Sequence, residues 1–425
     1  MAIETTLPSD RVGVRLAGMM PPMSPRLTLP EDGLPVTVLC SASTPFPQHG
    51  ILGIVRSLGR AGVSVVLASP EPSRGVPGAS RYVRAHEPWD LDEGVERLES
   101  IARRRGRSIL LATDDLTSVM VQDHADRLRQ EFVFPVAPHG LAARLLDKAV
   151  LAGLALDAGV ATPMTAMVST AAAADAFTLE SGFPVVAKGL PGHRAGRRSV
   201  TVVHGREGLV RLLEEAAPAG LVLQEHVPGS PREVNWIFDG YFDTSGRCRF
   251  WATGRKLAQY PVYAGTATHA VTERNEVIGS LVIGFLEGLG YVGPVDVDLR
   301  FDARDDRYLL LDVNPRVGGT FRTFVSAGGL DVVRAAYLDL SGFDVPMDPV
   351  PDGRAWVWET HVAACVVPYR RDGWLSVRSW LRSLRGVDEG AFVGLDDFRP
   401  ALRAARFAAA RLLPTRGGAS RARGE

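Results

Sequence analysis

The stretch Gly293-Pro294-Val295-Asp296-Val297-Asp298-Leu299-Arg300, a turn over Asp302 to Asp306, and Tyr308-Leu309-Leu310-Leu311-Asp312-Val313-Asn314-Pro315-Arg316 read together as a β-hairpin. Side chains two apart on a strand share a face, so Asp312, Asn314 and, past the proline, Arg316 point one way, with Asp298 opposite on the partner strand. Two carboxylates and an amide oxygen make a hard, oxygen-only donor set. Such a set suits Mg²⁺ that also holds nucleotide phosphates, with Mn²⁺ able to take its place. A polar outer face of a hairpin accounts for the carboxylates, but not for their interruption of strongly apolar strands.

Outward from the hairpin, the chain alternates helical and strand periodicities. Toward the amino terminus, Val36 to Leu39, the helical segment Gly50 to Leu58 and the strand Val63 to Ala68 form a βαβ unit. A helix over Leu91 to Arg105 and a strand over Ser108 to Ala112 follow. This pattern predicts an open doubly wound sheet, whose ligands sit beyond the carboxyl ends of the strands, where His49 and Thr113-Asp114-Asp115 fall. Helix capping and turn chemistry explain these residues equally well. From 141 a helix carrying Asp147 and Lys148 is expected to run to Gly159. Beyond it come a helix at Ala171 to Glu180, strands at Pro184 to Lys188 and Ser199 to Val203, a helix at Glu207 to Ala216 and a strand at Leu221 to Gln224. After Pro231 the chain is strand-rich to Val313, with one helix near Glu276 to Leu289, which fits two α+β lobes with a cleft between them.

Composition narrows the function classes. Lysine and arginine total 48, as do aspartate and glutamate, so no excess positive charge is present to neutralise a nucleic acid. Cys40, Cys248 and Cys365 are too few and too scattered for a disulfide framework or a CxxC metal site, which points to a reducing cytoplasm. Neither a signal-peptide core nor a long apolar run suggests export or a transmembrane segment. Residues 1–34 are proline-rich and read as a disordered tail. Of the basic residues only Lys148, Lys188 and Lys256 are lysines; the rest are arginine. A compact ammonium reaches a single phosphate oxygen where a broad guanidinium fork does not fit, which gives these three a reason to persist.

The Asp312-x-Asn314-Pro315-Arg316 ending, the acid fourteen positions before it and the upstream lysines resemble the ATP-grasp superfamily over about residues 35 to 345. Lys256 in Gly254-Arg255-Lys256-Leu257-Ala258-Gln259-Tyr260-Pro261, Gly265-Thr266, and the carboxyl-terminal Trp374-to-Leu384 segment followed by Asp396-Asp397 are similar to its branch of predicted carboxylate-amine ligases near D-aspartate ligase. The resemblance implies an α/β and α+β architecture. A doubly wound pre-ATP-grasp substrate domain (35–140) would precede a two-lobed ATP-grasp fold (141–345), with nucleotide between lobes 141–225 and 226–345, and an extension with a basic tail (346–425) would follow.

Carried over residue by residue, the resemblance puts Lys148, Lys188 and Lys256 on ATP phosphates and makes Gly189 to Arg198 a lid, in which Gly192 and Gly196 allow close approach. Gly189 replaces the usual proline, and Arg194, Arg197 and Arg198 stand where the family has a glycine-rich run. Adenine would meet the backbone around Glu225 and Val227 and the Gln224 amide, and Glu233 would bind ribose. Asp298, Asp312 and Asn314 would hold the metal. Arg316 and Lys256 would stabilise the transferring group, and Arg322 would hold a substrate carboxylate bidentately. His226 reads as structural.

The implied reaction activates a carboxylate with ATP as an acyl-phosphate, releasing ADP, for attack by an amine. The expected partners are small-molecule carboxylate and amine substrates, and a homodimer is compatible with the resemblance. A small-molecule kinase on the same fold and a nucleotide-binding regulatory protein without turnover are the alternatives. The acceptor pocket is expected from His49, Arg56 and Asp115 with the region after Arg316, and the arginine-rich tail reads as a solvated helix or tail.

Overall fold

The computed structural model describes residues 27–30, 33–41, 49–189, 200–262 and 265–412. The strands β1 (Val36–Leu39), β2 (Val65–Ser69), β3 (Val83–Pro88), β4 (Ser108–Ala112) and β5 (Phe132–Val133) form a parallel sheet in the order β3-β2-β1-β4-β5. Its central strands are short, mostly apolar runs because helices cover both faces, and their buried polar members, Thr37 and Ser108, hydrogen-bond to each other at 2.9 Å. The helix His49–Gly59 is buried continuously from Ile51 to Leu58, wedged between this sheet and the carboxyl-terminal lobe. Leu29 joins the same core, and Leu27 N donates to Gly328 O at 2.8 Å. Packed structure therefore begins before Leu34, the start expected from sequence; residues 1–26 lie outside the described residues.

The single helix expected from 141 to Gly159 is two helices, Leu141–Leu146 and Lys148–Asp157. Asp147 is extended and its carboxylate accepts from Ala149 N and Val150 N, satisfying donors that the new helix would otherwise leave open. That cap makes Lys148 the first residue of the second helix.

The strands β6 (Thr165–Val168), β7 (Val185–Gly189), β8 (Val200–Val203) and β9 (Leu221–Glu225) make an antiparallel sheet in the order β6-β9-β7-β8. A second sheet joins β10 (Asn235–Phe242), β11 (Cys248–Tyr260), β12 (Thr266–Thr272), β13 (Gly293–Asp302), β14 (Arg307–Asn314), β15 (Ala355–Val357) and β16 (Glu389–Gly390) in the order β14-β13-β10-β11-β12-β15-β16. The segment after residue 346 is thus woven into this lobe rather than appended to it. Trp356, Trp358 and Phe392 from that segment pack with Leu52 and Val76 of the first sheet's layer. Among the described residues no helix is long and apolar enough to cross a membrane.

Candidate active site

On the hairpin, Asp298 pairs directly with Asp312, and Asp296 with Asn314. The register slips between Asp298 and Leu299, whose partners are Asp312 and Leu310, so Leu311 is an extra residue in β14. This bulge lets Leu310, 1% exposed, enter the core while Asp312 turns to the cleft, although strict alternation would put residues two apart on one face.

All three lysines converge here. Lys148 Nζ pairs with Asp312 Oδ1, and Lys256 Nζ, from β11, lies 2.5 Å from Asp298 Oδ1. A cation in the first turn of a helix opposes the macrodipole, so Lys148 depends on that carboxylate. Burial would raise the Asp312 pKa, but Lys148, Lys188 and Arg316 hold it below the ordinary carboxylate value. Lys188, near the end of β7, has its pKa lowered by burial and by Lys148, against the pull of Asp312 and Asp298. Asp296 pairs with Asn314 beside these carboxylates and was legible from its place two residues before Asp298. Burial and the neighbouring Asp298 carboxylate raise it to about 7, opposed by Lys256 and Arg316. Asn314 Nδ2 donates to its Oδ2 at 3.3 Å.

The three lysines, Asp298, Asp312 and Asn314 line a cavity of about 1900 Å³, beyond the ~300–1,000 Å³ typical of one small-molecule site, and so roomy enough for a nucleotide and a second substrate. Gln224, Glu225 and Val227 line it on the inter-lobe segment. Glu225 N donates to Met164 O at 2.8 Å, and Val227 O accepts from Arg300 Nε at 2.8 Å, which fixes the segment's course. Arg300 itself faces the cavity, a contribution the sequence did not signal. His226 lines it too, its pKa lowered by burial, Arg300 and His204. Arg371, Asp372 and Trp374 reach the same cavity from the carboxyl-terminal segment. Asp298, Asp312 and the Asn314 amide are oxygen donors facing one cavity, and they fit Mg²⁺ shared with phosphates. Among the described residues no group of three or more His, Cys, Asp and Glu is arranged to hold a metal.

Arg316 does not itself line this cavity, and four further expected residues lie elsewhere. Glu233 is exposed on the short helix Pro231–Val234 and does not line the cavity, so the ribose role expected for it is not met by this geometry. Arg322 does hold a carboxylate bidentately, but the carboxylate is the chain's own. Its Nε and Nη2 meet Glu389 at 2.9 and 2.7 Å and its Nη1 meets Asp331 at 2.5 Å, outside the cavity. Arg56 is likewise buried against Asp397 at 3.1 Å. His49 is buried against Trp358, ring centroids 4.6 Å apart, and does not reach the cavity. Of the proposed acceptor residues only Asp115 lines it, and its Oδ1 accepts from Arg316 Nε at 2.7 Å. Burial would lower the Arg316 pKa, but Asp115 and Asp296 raise it. Asp114 is a cap, accepting from Thr117 N at 3.0 Å. Gly192, Arg194, Gly196, Arg197 and Arg198 of the expected lid lie outside the described residues.

Residues 147–320, which span the hairpin, the three lysines and the inter-lobe segment, match the ATP-grasp domain family. The chain carries an ATP-grasp domain. It is 24% identical over 260 residues to D-aspartate ligase of Enterococcus faecium, covering 56% of this chain and 61% of that one. It is 22% identical to the carbamoyl phosphate synthase large chain, C-terminal section, of Methanopyrus kandleri, covering 48% and 38%. The chain therefore spans less than two thirds of the length of these curated relatives. Among solved structures, an ADP complex of N5-carboxyaminoimidazole ribonucleotide synthetase has the same fold, with TM-score 0.59, 12% identity and coverage of 78% and 81%. L-amino acid ligase from Bacillus licheniformis is similar at TM-score 0.53 and 15% identity, covering 75% of each chain. The matched span contains cavity-lining residues from both antiparallel sheets.

Proposed function

We propose that the protein is an ADP-forming ligase that activates a small carboxylate as an acyl-phosphate for attack by an amine. The observation that carries this is the facing pair Asp298 and Asp312, each met by a lysine, in a cavity with room for two ligands. Relatives named as D-aspartate ligase and L-amino acid ligase support the reaction class. ATP would lie between the two antiparallel sheets, with adenine against Gln224, Glu225 and Val227. Asp298, Asp312 and Asn314 would hold Mg²⁺, which supplies positive charge to phosphate oxygens when bound. On nucleotide binding, Lys148 and Lys256 exchange their carboxylate partners for phosphate oxygens, and buried Lys188 adds a third positive charge. Arg316, kept in place by Asp115, faces the charge that develops on the activated carboxyl.

In the balanced step, a carboxylate oxygen attacks the γ-phosphorus and ADP leaves with the bridging oxygen. The amine then attacks the acyl carbon, phosphate leaves, and the amine proton passes to solvent. Three cysteines with no disulfide among them fit a reducing cytoplasm as the setting. Hydroxylamine supplied with a panel of carboxylic acids and MgATP tests the reading. Hydroxamate should form with ADP and phosphate in equal amounts. A stable phosphorylated hydroxyl product would move the protein to the kinases, and AMP with pyrophosphate to the adenylating enzymes.

A further inference from the structure

The carboxyl-terminal segment contains two short helices, Val366–Arg371 and Val377–Ser383, which pack on each other beside the cleft. The second buries no residue fully, an unusual state for a helix that carries Val377, Trp380 and Leu381. Val367, Trp374, Val377 and Leu381 are 75%, 44%, 40% and 51% exposed. Val377 and Leu381, four apart, share one stripe, and Arg378 and Arg382, also four apart, run beside it. Arg370, Arg378, Arg382 and Arg385 are all exposed and form no ion pair among the described residues.

The acids of the surrounding segment have other partners among the described residues: Asp372 pairs with Arg371, and Asp388 accepts from Ala355 N at 2.8 Å. Glu389 is held by Arg322 and Arg354, Asp396 by Arg60, and Asp397 by Arg56. The outcome is a small surface of exposed apolar side chains, one tryptophan among them, bordered by exposed arginines. Arg371, Asp372 and Trp374 of the same segment also line the nucleotide cleft, so this surface adjoins the cleft opening.

We propose that this surface docks on an anionic lipid bilayer and holds the cleft mouth at the membrane face. Exposed aliphatic and indole groups enter the headgroup boundary while arginines meet lipid phosphates, the pattern of interfacial helices. A second copy of the chain is a poor occupant, because a two-fold contact would set one arginine border against another. The inference stands apart from the proposed reaction, since it rests on the outer face of the two helices.

Flotation of the full chain with vesicles of equal parts phosphatidylglycerol and phosphatidylcholine tests it. The protein should float with these vesicles, stay behind with phosphatidylcholine alone, and be released by salt at about half-molar strength, where the screening length is only a few ångströms. Arg378→Glu with Arg382→Glu, and separately Leu381→Asp, should each weaken binding roughly tenfold or more. Arg378→Lys with Arg382→Lys should bind as the parent does, and Leu179→Glu, an exposed site on another helix, should change nothing. Circular dichroism of each variant establishes that it is folded. Failure of the parent to float, or binding unchanged by charge reversal, overturns the proposal. Capture by poly-glutamate without vesicle binding replaces the bilayer with an acidic polypeptide, and loss of a dimer in Leu381→Asp without vesicle binding replaces it with a second copy.

Discussion

In the cleft, Asp298 and Asp312 each meet one lysine ammonium, and their side chains stay 27% and 28% open to the cavity. Around Arg322 the same kinds of groups are closed off: Asp331 is fully buried, and Glu389, 15% exposed, is gripped by two nitrogens of Arg322 and one of Arg354. A single ammonium on an open carboxylate can be exchanged for a metal ion or a phosphate at little cost, because water and ligand reach the same face. A bidentate guanidinium sealed against two carboxylates has no such exit, and removing one member leaves a buried charge unpaired. Exposure and denticity, rather than residue type, separate the cluster proposed to meet a ligand from the closed one.

The strongest way to break this contrast is to remove the open pair. Asp298→Asn with Asp312→Asn should lower Mg²⁺-dependent ADP formation about a thousandfold or more in a coupled assay, with the far-ultraviolet dichroism of the parent. Persistent turnover in that folded variant would move the chemistry elsewhere. The closed cluster should respond in the opposite way: Arg322→Met should cost about 3–5 kcal/mol in urea unfolding, while turnover per folded molecule stays at the parent's level. A selective loss of turnover would return Arg322 to the cleft.

A smaller effect sharpens the comparison at a third buried group. Burial, with a contribution from His361, lowers His49 from 6.5 to about 3. As pH falls through 6.5 the unfolded chain takes up a proton that the folded one refuses until about 3, so stability declines across that window and not above it. His49→Phe should flatten the fall in thermal midpoint between neutral and mildly acid pH, a difference on the order of 1–2 kcal/mol. An unaltered pH slope would mean that His49 is not held neutral.

Local pattern was enough for much of the fold and for the centre of the site. The apolar runs of β1, β2 and β4, the strands β7 and β9, and the helix Glu276–Gly288 follow from periodicity, which acts through neighbours in sequence. Asp298 facing Asp312 follows from hairpin geometry, and the scarcity of lysine singled out three ammoniums that do meet at that pair. The break at Asp147 is also written locally, since aspartate followed by a helical run is a capping signal, but apolar spacing that continues through it masks the signal.

Only the tertiary structure decided which charges are open and which are closed. Arg322 and Arg316 lie six residues apart in an arginine-rich chain and look alike in sequence. Glu389, 67 residues away, captures the first, and Asp115, 201 residues away, positions the second. The bulge at Leu311 and the capture of β15 and β16 by the second lobe are of the same kind, set by what packs opposite. Residue type and short spacing fix donors, charges and the faces of a strand, and with them the chemistry available. The partner of each charge depends on contacts between distant segments, and burial then sets whether that charge is free to meet a ligand.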